Sequence, residues 1–77
     1  MRADLEQRIT VNSKVLLGKP TIRGLRISVE QILRALAAGV PEQDLIADYP
    51  ELETDDIRAV IGYAADRVAE TTVFRVA

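Results

Sequence analysis

The chain has no cysteine and no histidine. Without cysteine there is no disulfide, and without either residue the usual nitrogen and sulfur ligands of a zinc site are missing. The same absences exclude a Cys-His or Ser-His catalytic pair. Long apolar runs are also missing, so no stretch reaches the length of a membrane span. The opening Met-Arg-Ala-Asp-Leu-Glu-Gln carries no signal-peptide pattern, which makes a cytoplasmic protein the expectation. Internal repeats, low-complexity stretches and linkers are absent too.

What is present is a chain of 77 residues, enough for a single domain over 1–77 with one core. A core of that size is marginal by itself, so oligomerisation is expected. The net charge of -2 conceals an asymmetry. Residues 1–34 carry seven cations against three carboxylates, and residues 35–77 carry three against nine. Two readings follow: a basic face for nucleic acid or an acidic partner, or neutralisation across a subunit contact or within the fold.

Residues 8–13 alternate around Ile9 and Val11, which predicts a short strand. Thr21 and Ile22 suggest a second one, with Arg23-Gly24 turning the chain. Two such strands must pack on helices or pair with another copy. Ser28-Val29-Glu30-Gln31 is a capping box, and Ile27 with Ile32 is placed as a hydrophobic staple. Val29, Ile32, Leu33 and Leu36 then form one helical stripe, which Gly39 ends in a left-handed cap.

Pro41 fits the first position of a second helix, with Glu42 and Asp44 favouring its start. Leu45, Ile46 and Tyr49 form its apolar side, and Pro50 ends it. Thr54 is expected to cap a third helix, with Leu52 as a staple and the stripe Ile57, Val60, Ile61, Ala64 and Val68. Gly62, inside that helix, has two readings: another backbone approaches closely there, or the glycine is simply tolerated. The tail over 70–77 is β-prone. The fold expected is mostly α: a β and loop segment over 8–27, then a three-helix bundle over 28–69. The second and third helices, joined over 49–54, give it a helix-turn-helix-like (homeodomain-like) character.

No constellation supports catalysis, a metal or a cofactor. The pairs Asp55-Asp56 and Glu51 with Glu53 have no base, nucleophile or ligand set beside them. Gly18-Lys19 lacks the spacing of a phosphate loop, and proline follows it. Asp55 and Asp56 open the third helix and would repel DNA phosphate there. If DNA is bound, the better candidates are Arg8, Lys19, Arg23 and Arg26, with Arg58 a lesser one. For the first four the alternative is a surface ion pair, and Arg26 is a candidate to pair with an acid of the third helix. A homodimer is expected to use Ile9 and Val11, paired with their symmetry mates or with the tail, and Phe74.

The most distinctive run is Gly18-Lys19-Pro20-Thr21-Ile22-Arg23-Gly24-Leu25-Arg26-Ile27-Ser28-Val29. It resembles the signature of the domain of unknown function 433 family. The resemblance continues through Ile32-Leu33, Leu36-Ala37-Ala38-Gly39, Tyr49-Pro50-Glu51-Leu52, Asp56-Ile57-Arg58-Ala59 and Tyr63-Ala64-Ala65. Leu25 stands where that family typically has threonine. The resemblance implies a small helix-turn-helix-like domain similar to VapB-type antitoxins. It also implies a PIN-like ribonuclease toxin as partner, neutralised by an antitoxin that binds operator DNA. A protein-interaction module with no nucleic-acid role is the competing expectation, and an enzyme the third.

Overall fold

Ser28 begins the helical part of the molecule in the computed structural model, which describes residues 1–70. Its hydroxyl accepts the Gln31 backbone N–H at 2.9 Å, and helix α2 (Val29–Ala37) follows. Only half of the capping box forms. The Gln31 amide donates instead to the Tyr49 hydroxyl at 2.6 Å, tying α2 to the end of the next helix. Ile27 and Ile32 are both buried, as a staple requires. At the other end Gly39 has φ +90°, and the Val40 and Gly39 N–H groups donate to the Ala35 and Leu36 carbonyls. This is a Schellman closure, which satisfies carbonyls the helix leaves open.

Helix α3 (Glu42–Asp48) starts one residue later than expected. Pro41 is extended, with ψ 148°, and serves as the cap rather than as the first helical residue. Tyr49 has left the helical conformation, as a residue before proline must. Helix α4 (Thr54–Glu70) begins at Thr54, so Thr54 is its first residue and not its cap. The capping carboxylate is Asp56, which accepts the Glu53 N–H at 2.8 Å. Leu52 and Ile57 form the staple, and both are buried.

The strands are shorter than the sequence suggested. Strand β1 (Ile9–Thr10) pairs antiparallel with β2 (Thr21–Ile22), Ile9 opposite Ile22 and Thr10 opposite Thr21. The Asn12 side chain accepts the Lys14 N–H at 2.9 Å, an Asx turn that stops β1. A 3-10 turn (Leu16–Gly18) then leads towards β2. On its other side β2 meets the residues entering α2: Ile22 donates to the Ile27 carbonyl, and Val29 donates to the Pro20 carbonyl. The strand pair is therefore bound to the helices through its backbone, which a two-stranded ribbon needs.

The chain is thus mostly helical, α2 to α4 following a short strand pair. Two departures concern α4. A four-residue helix α1 (Ala3–Glu6), absent from the expectation, lies along it with Leu5 buried. The Met1 side chain rests on Gly62, where a Cβ would come 2.6 Å from the Met1 sulfur. The close neighbour of Gly62 is thus a side chain and not a second backbone. The second departure is the apolar stripe. Ile57 and Val60 are fully buried, yet Ile61 is 51 % exposed and Val68 is 71 % exposed. Ile61 stands at the edge of the face that Asp56, Ile57, Ala59 and Val60 bury, and for Val68 the cause is length. Seventeen residues make α4 about 25 Å long. The nine residues of α2 and seven of α3 cannot cover all of it. The core (Ile22, Ile27, Val29, Ile32, Leu45, Leu52, Ile57 and Val60) accordingly sits around its first half. No helix among the described residues is long and apolar enough to cross a membrane. Phe74 and the β-prone tail lie outside the described residues.

Candidate functional site

The distinctive run folds into a turn aimed at the start of α4. Arg23 and Gly24 are both left-handed, with φ +48° and +73°, and the Leu25 N–H closes the turn on the Ile22 carbonyl at 2.8 Å. Paired left-handed residues suit a tight hairpin turn, and glycine takes that conformation without strain. The Thr10 hydroxyl accepts the Gly24 N–H at 2.9 Å, and the Arg8 carbonyl accepts the Arg23 N–H at 2.7 Å.

This backbone brings the Arg23 side chain to Asp56, which is fully buried. Arg23 Nε lies 3.0 Å from Oδ1 and Nη2 lies 2.8 Å from Oδ2, a two-pronged pairing. Arg8 Nη1 adds a bond to Oδ1 at 3.0 Å and reaches Glu53 Oε1 at 2.7 Å. Arg23 Nη2 also donates to the Glu51 carbonyl. Burial alone would raise the Asp56 pKa. Hydrogen bonds from Arg23, the Glu53 N–H and Arg8 outweigh it and hold the carboxyl below its ordinary range. With two hydrogen bonds on Oδ1 and three on Oδ2, the carboxylate has no lone pair left for a substrate proton or a metal. Asp56 is therefore a fastener between the loop and α4.

The cationic candidates divide accordingly. Arg8 and Arg23 are committed to Asp56 and its neighbours. Lys19 pairs with Glu30 at 3.1 Å, and Arg34 shares that carboxylate at 2.9 Å. Bonds from Arg34 and Lys19 lower the Glu30 pKa. Arg26 and Arg58 are exposed and make no ion pair or hydrogen bond among the described residues. The acid of α4 meets Arg23 rather than Arg26. Neutralisation within the fold thus accounts for Arg8 and Arg23. It also removes half of the phosphate repulsion expected from Asp55-Asp56, since only Asp55 remains partly in water, 3.9 Å from Arg8.

The apolar candidates move too. Ile9 pairs with Ile22 of its own chain and packs against the core, so one edge of β1 is taken up by β2. Val11 is 66 % exposed beyond the end of β1. Two features had no warning in the sequence. Leu16 and Leu17 are both left-handed, with φ +48° and +58°, and Leu17 is 96 % exposed. The other is an open groove of about 580 Å³ between α2 and the second half of α4. Val29, Leu33, Ala37, Ala64 and Val68 line it, with Lys19, Glu30, Arg34 and Arg67 among its polar lining. Arg67 lies 5.2 Å from the Tyr63 ring centre, a cation–π contact. Clusters of three or more potential metal ligands are absent among the described residues.

The left-handed turn at Arg23-Gly24, the Ser28 cap, the Gly39 closure, Arg23 and Asp56 all fall within residues 9–64, the stretch matched by the family described as protein of unknown function (DUF433), and Arg8 lies one residue outside it. The chain belongs to this DUF433 family. The match takes in β1, the loop, α2, α3 and the first part of α4, and leaves out α1. No curated protein and no solved structure matches the chain significantly.

Proposed function

We propose that this DUF433 protein is a non-enzymatic regulator of the antitoxin kind, working in the cytoplasm by binding and silencing a PIN-like ribonuclease. The observation that carries this reading is Leu17. Left-handed backbone costs a leucine roughly 1–2 kcal/mol. Leu16 and Leu17 both adopt it, and the second of them lies almost wholly in water. Strain that shows an apolar side chain to solvent is a feature of contact surfaces rather than of cores. The loop behind it is firmly held, through β1, β2 and the Asp56 fastener. The family resemblance supplies the ribonuclease.

Leu17→Asn is the decisive variant, because asparagine favours left-handed backbone and lacks the apolar knob. Nuclease encoded by the neighbouring reading frame is expected to be inhibited by the wild-type chain and released by Leu17→Asn, with thermal stability unchanged or raised. Full nuclease activity in the presence of excess wild-type chain refutes the reading.

Operator DNA is a second ligand on this reading, favoured by Arg26 and Arg58, which are exposed and have no ion-pair partner among the described residues. Arg26→Ala should reduce the log-log salt slope of DNA binding by about 0.9 for the lost phosphate contact. Arg23 is unsuited to that test, because its loss would loosen the loop.

A further inference from the structure

We propose that the open edge of β1 accepts a third strand, and that the strand is supplied by the chain's own residues 71–77. β2 has neighbours on both sides: β1 on one, and the residues entering α2 on the other. Among the described residues β1 is paired on one side only. The Ile22 N–H donates to the Ile27 carbonyl at 3.0 Å, away from β1. Ile9, opposite Ile22, accordingly turns its own N–H and carbonyl away from β2. The Ile9 N–H makes no backbone hydrogen bond among the described residues. An unpaired strand edge of this kind is a template for another strand.

Position, reach and composition choose the occupant. An open hollow of about 190 Å³ adjoins the edge, with Ile9 and Val11 on one side and Asp66, Arg67 and Glu70 of the last α4 turns on the other. A strand laid on the edge therefore lies near Glu70, the residue that 71–77 follow in the chain. Seven extended residues span about 23 Å, and the two residues of β1 need about 7 Å. Thr71, Thr72, Val73, Phe74 and Val76 are all β-branched or aromatic, the types that strands favour. Tethering decides between this segment and a second copy. A short tether holds a segment at an effective concentration on the order of millimolar, well above that of a second chain at micromolar levels. The added strand would tie the end of α4 to β1 and shield an edge otherwise open to association. Leu17 takes no part in it, so this pairing and the ribonuclease contact fail or hold separately.

Hydrogen exchange of the full-length chain, followed residue by residue by NMR, tests the pairing. In the wild type the Ile9 amide should exchange about tenfold or more slowly than an unstructured amide, and one or more amides of residues 71–76 should be protected with it. Thr72→Pro combined with Val73→Pro should abolish the Ile9 protection. Adjacent strand residues point their N–H groups to opposite sides, so the two prolines remove a ladder donor in either register. The Arg23 amide, which donates to the Arg8 carbonyl at 2.7 Å, should stay protected in both proteins and reports that the β1–β2 pair is intact. The Ile9 protection should be the same at tens of micromolar and at about a millimolar, as an intramolecular contact requires. Free exchange at Ile9 or throughout 71–76 in the wild type overturns the proposal, and so does Ile9 protection that survives the prolines. Protection that rises with concentration, alongside a dimer mass by light scattering, assigns the edge to a second copy and overturns it too.

Discussion

Arg23→Ala tests the fastener on Asp56 directly. The substitution removes three of the donor contacts on a carboxylate that cannot move into water. Breaking a buried pair from one side costs about 3–5 kcal/mol. Two features reduce that figure here. Arg8 and the Glu53 N–H remain on Asp56, and the Arg23 side chain is 35 % exposed, so solvent screens part of its attraction. The expected loss is about 2–3 kcal/mol, which for a domain of this size lowers the melting temperature by about 10–20 °C. Arg23→Gly should lose about 1 kcal/mol less than Arg23→Ala, because glycine relieves the left-handed backbone that alanine keeps. Arg26→Ala, three residues along and exposed, should change stability by less than about 0.5 kcal/mol. Urea and thermal unfolding followed by circular dichroism measure all three. A double-mutant cycle with Asp56→Ala should show strong positive coupling between Arg23 and Asp56. Equal stability of Arg23→Ala and Arg26→Ala, or additive effects in the cycle, would refute the fastener.

Acid should weaken the same contact. The folded-state pKa of Asp56 is lowered, so its stabilisation is present above the ordinary carboxylate range of about 4 and is lost as pH falls through the folded value. Stability of the wild type should therefore decline on acidification from pH 5, and Asp56→Asn should flatten that decline while lowering stability at pH 7; an unchanged acid slope would contradict the assignment. Gly39→Ala should cost about 1 kcal/mol, since its φ of +90° is strained for any side chain, and denaturant unfolding checks it. Tyr49→Phe should lose the bond from Gln31 at about 0.5–1.5 kcal/mol, and Gln31→Ala in the same background should then add little.

Signals acting within one turn of chain were legible in the sequence. The Ser28 cap, both staples, the Gly39 closure and the stop at Pro50 depend on residues at most five positions apart. Their local geometry is the same wherever the helix ends up. The individual strands were legible through β-branched Ile9, Thr21 and Ile22, and the turn after β2 through Arg23-Gly24. Small errors arose where two local choices compete. Pro41 and Thr54 were each displaced by one position at a helix start, and the Gln31 amide found Tyr49 nearer than its own cap.

The candidate site was much less legible, because its contacts join distant residues. Arg8 and Arg23 reach Asp56 across 48 and 33 positions, and Asp56 read as an ordinary dipole partner beside Asp55. Which acid an arginine meets depends on where the loop lands on α4, and periodicity carries no such information. Leu17 carries no signal of its own in the sequence; its exposure follows from the 3-10 turn.

Sequence alone therefore determined the helices, their order and most of their ends, because capping and amphipathic spacing act between near neighbours. Tertiary structure decided which charges are spent inside the fold and which apolar residues stay open. Ile61 and Val68 carry the same helical pattern as Ile57 and Val60. Where the neighbouring elements meet α4 leaves the first pair in water and the second in the core: Ile61 falls at the edge of the covered face, and Val68 lies beyond the reach of α2 and α3.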